Sequence, residues 1–228
     1  MQMLNNKCVQ LGLKEMKEML IPDTPSWATK LEQLLESHNI LTTCTAFITD
    51  GDLAKDWKAL FSGWGEEKDV SSVERMGTEP FMSLNLGLRH LRNYIQSPID
   101  DIDSFVWVTL YAILNNTEPR SVREQNLGKE LESGSRDRFG VLHSFIYYGE
   151  LDVKKGVMND LVKKWSRVVG DLGGLYATLM EVFSVISEKN GWEDEKEEAR
   201  YLEVAWHGYA LQGVCKSLEI ILEHIADM

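Results

Sequence analysis

The sequence predicts a mainly α-helical fold, and three observations carry that reading. Apolar residues recur every three or four positions in four separate stretches of the 228-residue chain, the spacing that lines one face of a helix. Only one short stretch, Ile40 to Thr49, is β-branched or apolar without any helical stripe. The segment Ile102 to Leu114 is apolar nearly all the way round, the pattern of a helix buried on every side.

Val9, Leu13, Met16 and Leu20 fall on one stripe of a first helix, which has to end before Pro22 because proline restricts the residue ahead of it. After the turn residues Asp23, Thr24 and Pro25, a second stripe of Trp27, Leu31, Leu34 and Leu35 runs up to Ser37 and His38. Ile40–Thr45 and Ala46–Thr49 then suit two brief strands joined by a tight turn, a small hairpin. From Lys55 to Gly77 the chain mixes Gly63, Gly65, a Glu66–Asp69 charge cluster and Ser71–Ser72 with no sustained period, which predicts a long exposed loop.

Phe105 to Leu114 forms the core of the helix expected to be the central post, with Asp101 or Asp103 placed to cap its start and Asn115 and Asn116 to stop it. Leu161, Trp165, Val168, Leu172, Leu175, Leu179, Phe183 and Ile186 continue the helical spacing, and Gly170, Gly173 and Gly174 are expected to break that run into two helices. Leu202, Trp206, Tyr209, Val214, Leu218, Ile221 and Ile225 make the last stripe. The charge run Glu193–Glu198 ahead of it suits a solvated helix start. Trp107, Trp165 and Trp206 sit on apolar stripes and are expected in the core.

The formal charge of -12 argues against nucleic acid as a partner, since the chain would repel a phosphate backbone. No stretch approaches the roughly 18 consecutive apolar residues of a membrane span, so no membrane insertion is expected. The first residues lack the apolar centre and cleavage site of a secretory signal, which points to an intracellular location, cytoplasm or nucleus. Cys8, Cys44 and Cys215 have no ligand or pairing spacing and are taken as free thiols. The five histidines are scattered in the same way.

Four motifs follow one another in fixed order: Asn39-Ile40-Leu41, then Thr49-Asp50-Gly51-Asp52-Leu53-Ala54-Lys55, then Gly77-Thr78-Glu79-Pro80-Phe81-Met82-Ser83, then Asp100-Asp101-Ile102-Asp103-Ser104-Phe105-Val106-Trp107. That order resembles the fungal-type protein kinases, a divergent branch of the protein-kinase-like proteins, over about residues 38 to 116. The resemblance implies a kinase-like C-terminal lobe: a mainly α unit with one short β-hairpin and a long activation-type loop. It also implies phosphoryl transfer from ATP to protein serine or threonine, a reaction run by positioning and by charge neutralisation with magnesium.

By that resemblance Asn39 and Asp50 hold the magnesium ions and the ATP phosphates. Gly77, Thr78, Phe81, Met82 and Ser83 belong to the activation segment, and Asp101 braces the catalytic loop from below. The residues themselves also allow a plainer account, in which Asn39 and Asp50 are turn residues bracketing a hairpin.

The sequence departs from the family pattern where the chemistry needs it most. The base that accepts the substrate hydroxyl proton belongs five residues before the catalytic-loop Asn, and that position is Leu34. Glu32 and Gln33 stand in place of the preceding His and Arg, Gly51 replaces the aromatic after Asp50, and Asn85 replaces the glutamate closing the activation segment. Residues 1–38 form a helical segment without the glycine loop or lysine strand that clamps ATP, and residues 39–228 form the lobe. No catalytic residue is therefore assigned, and transfer is expected to be lost or very weak. Magnesium and ATP are expected only if the Asn39 and Asp50 site is retained. A separate kinase N-lobe, or another protein bound in the manner of a pseudokinase-type interaction module, is the expected partner.

Overall fold

Helix-forming stretches bounded by capping residues account for the architecture that the computed structural model describes, which covers residues 20–40, 83, 96–115, 121–132, 156–190 and 195–225. Five helices run through them in order: α1 (Thr24–Ser37), α2 (Pro98–Asn115), α3 (Val122–Glu132), α4 (Gly156–Asn190) and α5 (Glu195–Ile225). Among the described residues there is no strand. Ile40, the one residue of the expected hairpin that is described, lies in helical backbone; the rest of the hairpin and the Lys55–Gly77 loop fall outside the described residues. Among the described residues no helix is long and apolar enough to cross a membrane.

By its internal contacts the chain divides into two compact units. One comprises Met1–Glu74, Leu91–Ile95 and Gly174–Gln212, so it holds α1, the second half of α4 and the first part of α5. Its core contains Tyr176, Leu179, Phe183, Leu202 and Tyr209. The rings of Tyr176 and Tyr209 meet edge to face with centroids 5.6 Å apart, and the Tyr209 hydroxyl donates to the Leu20 carbonyl at 2.6 Å. That phenol is thereby both buried and satisfied, and burial pushes its pKa up to about 12.

The other unit comprises Arg75–His90, Gln96–Gly173 and Gly213–Met228. Here α2 supplies Ile99, Val106, Trp107, Leu110 and Leu114, and α3 adds Leu127 and Leu131. Tyr111 donates to Glu132 at 3.3 Å between these two helices. Leu161, Val162, Trp165, Val169 and Leu172 come from α4, and the Trp165 indole N–H donates to the Ser217 hydroxyl of α5 at 2.8 Å.

Expectations about the helices need correction, beginning with Trp206, which is half-buried rather than in the core. α2 is not buried on every side: Phe105 is 63% and Val108 45% exposed, and Ala112 on the same stripe is exposed too, because one side of the helix is left uncovered by the packing. α4 does not break at its glycines but runs unbroken for 35 residues, since the buried side chains on either side of them, Val169, Leu172 and Tyr176, outweigh the poor helix propensity of glycine. The start of α2 is not capped by Asp101 or Asp103; Ser97 and Asp100 do that work, as described below.

α3 has no counterpart in the periodicity of the sequence. Its start is a reciprocal capping box, in which the Glu124 carboxylate accepts from the Ser121 N–H at 2.9 Å while the Glu124 N–H donates to the Ser121 hydroxyl at 3.2 Å. The Ser-x-x-Glu spacing of residues 121–124 was the legible signal for it.

Candidate functional site

Ser83, the one described residue of its motif, meets the first residue of the acidic motif at the start of α2. Ser97 stands just before the helix and Pro98 takes its first position, where a missing N–H costs nothing. Asp100 sits in the first turn, where a carboxylate suits the positive end of the helix dipole. Its Oδ2 accepts from the Ser97 N–H at 2.7 Å and from the Ser97 hydroxyl at 3.2 Å. Its Oδ1 accepts from the hydroxyl of Ser83, the last residue of the Gly-Thr-x-x-Phe-Met-Ser motif, at 2.5 Å.

All three residues are at most 1% exposed. A carboxylate buried so deeply has to collect donors to offset its lost hydration, and Asp100 collects at least three. The arrangement therefore ties residue 83 to the helix; it offers no exposed oxygen to a substrate. Its chemistry is that of positioning.

Asp101, to which the resemblance assigns the brace, lies one residue on and faces outward, accepting from Gln96 Nε2 at 3.3 Å. The surrounding protein withdraws water from its carboxyl and raises its pKa above the ordinary carboxylate value, with the Gln96 hydrogen bond acting in the opposite sense. Asp103 is buried on the same helix.

The expected nucleotide and metal residues are placed only in part. Asn39 is exposed and follows the C-cap of α1 with φ 53°, a left-handed conformation that asparagine tolerates better than most residues. Its N–H donates to the Glu36 carbonyl at 3.1 Å, and the N–H of His38 to that of Leu34 at 3.3 Å, which closes the helix. In this position Asn39 terminates α1. Asp50, its expected metal partner, lies outside the described residues, as do Gly77, Thr78, Phe81 and Met82. Leu34, where the resemblance places a base, is half-buried in α1, and its carbonyl also accepts from the Ser37 hydroxyl at 3.1 Å. Among the described residues no group of three or more His, Cys, Asp or Glu is placed to hold a metal ion.

At the other end of α1, the Asp23 carboxylate accepts from the Ser26 N–H at 3.4 Å, and Lys30 lies over the Trp27 ring, 4.9 Å from its centre. Asp23, Pro25, Ser26, Thr29, Lys30 and Gln33 line a shallow open groove there. Compared with protein-family models, curated proteins and solved structures, the chain matches none.

Proposed function

We propose that this chain is a kinase-like C-terminal lobe, similar to the fungal-type protein kinases, whose phosphoryl transfer is lost or very weak. The observation that supports the reading is the buried hydrogen bond from Ser83 to Asp100. It joins the last residue of the activation-type motif to the first turn of the acidic helix, so two of the stretches that carry the resemblance touch through these residues. Loss of transfer rests on Leu34: an alkyl side chain takes no proton from a substrate hydroxyl. Magnesium and ATP would be held, if at all, by Asn39 and Asp50.

A second reading, a non-catalytic module that binds another protein, is favoured by the exposed apolar stripe of Phe105, Val108 and Ala112 on α2. A separate N-terminal lobe acting in trans belongs to the first reading.

Calorimetry of magnesium-ATP with the full chain, with Asp50→Ala alongside, separates the two. Binding that disappears in the variant supports the kinase-like site; absence of any binding heat puts the interaction module first. Measurable transfer of phosphate to a protein hydroxyl by this chain alone would overturn the assignment of Leu34 as a lost base.

A further inference from the structure

Glycines occur in both long helices, and their surroundings differ; in α4 Gly173 is buried, while Gly170 and Gly174 on either side of it are exposed. In α5 they are packing glycines: a Cβ on Gly208 would meet Thr24 Oγ1 at 2.9 Å and the Pro22 carbonyl oxygen at 3.2 Å, and one on Gly213 would meet Ile102 Cδ1 at 3.0 Å. In α4, Gly170 and Gly174 stand four residues apart on an exposed side, and an added Cβ would meet nothing within 4 Å at either. Packing does not call for glycine there, so what these two residues supply is backbone freedom.

Two further observations fall on the same turn. The Thr178 hydroxyl donates to the Gly174 carbonyl at 2.9 Å, a back-bond that competes for a carbonyl of the helical ladder and favours bending. The division of the chain into its two compact units passes along α4 between Gly173 and Gly174, as it also passes along α5 between Gln212 and Gly213, where the glycine is packed against Ile102. We propose that the turn Gly170–Gly174 is a built-in bending point of α4, a place where an otherwise continuous helix opens locally and reversibly.

Amide hydrogen exchange on the full chain tests this. Amides of residues 171–178 are expected to exchange about tenfold faster than those of residues 161–168, because opening is confined to the weak turn. Replacing both open glycines, Gly170→Ala with Gly174→Ala, is expected to slow that exchange by roughly tenfold or more, since alanine is the stronger helix former and fits both sites. Thr178→Val, which removes the back-bond and keeps the branched shape, is expected to slow it by a smaller factor. Gly208→Ala, which crowds Thr24, serves as the control and is expected to leave exchange at 171–178 no slower than in the wild type. The proposal is overturned if the wild-type turn exchanges as slowly as its neighbours, or if the double alanine variant leaves the rate unchanged.

Discussion

The first turn of α2 and the last turns of α5 both bury polar side chains, but by different means. At α2 a carboxylate is buried, and it draws at least three donors, one of them from the distant residue Ser83. At α5 the buried groups are a hydroxyl and an imidazole: the Ser217 hydroxyl accepts from the Trp165 indole, and His224 turns its Nδ1 to the Ile220 carbonyl of its own helix at 2.7 Å. The difference follows from hydration. A charge gives up far more solvation than a hydroxyl, so it has to be met by several groups brought from outside its helix, while a neutral group is satisfied by one.

The largest effect expected from this contrast is at Asp100. Asp100→Ala leaves the Ser83 hydroxyl and both Ser97 donors buried without their acceptor, and is expected to cost about 3 kcal/mol or more, read from urea unfolding of the full chain. A cost below about 1 kcal/mol would show that water reaches these donors and that the knot does not hold the segment.

Ser217→Ala comes next. It strands one indole N–H, and about 1–3 kcal/mol is expected. If Ser217→Ala proved as costly as Asp100→Ala, the distinction between charged and neutral burial would fail.

Tyr209→Phe removes a single hydrogen bond to the Leu20 carbonyl, for about 1 kcal/mol at neutral pH, and it carries a pH signature. The folded state holds the phenolic proton more tightly, with its pKa raised from 10.0 to about 12. The corresponding stability is whole below about pH 10 and is lost as pH rises through about 12, so thermal melts of the wild type should fall across that window. The Phe variant should lack that part of the fall; identical slopes in the two proteins would rule the tyrosine out as its source.

The smallest effect is expected at the rim, where Lys164 and Glu223 approach to 3.6 Å with both side chains more than half exposed. Lys164→Met should change stability by less than about 1 kcal/mol, and added salt should erase the difference.

Legibility in the sequence followed the same division. Of the apolar line expected along α4, Leu161, Trp165, Leu172, Leu179 and Phe183 are buried, while Val168 is half-buried with Val169 taking its place in the core, and Leu175 is 47% exposed. Along the last turns of α5 the same reasoning chose Val214, Leu218, Ile221 and Ile225, but the buried line is Gly213, Ser217, Ile220 and His224, one position earlier. A rule that ranks side chains by apolarity cannot place a serine and a histidine inside, because what makes them tolerable there is a partner: the Trp165 indole for one, a backbone carbonyl for the other. The candidate site divided likewise. Motif order drew attention to Ser83 and to the acidic start of α2, but which of two adjacent aspartates turns inward depended on where Ser83 arrives.

What the sequence determined by itself was the helical character and the presence of helices where α1, α2 and α5 lie. These are local properties, set by spacing, by Pro22 and Asn115, and by side-chain identity. Only the tertiary structure decided that α4 passes unbroken through its glycines, that α2 leaves Phe105 and Val108 open, and that Asp100 rather than Asp101 is buried. Each of these depends on groups distant in sequence, and burial is a property of the packed neighbours rather than of the residue.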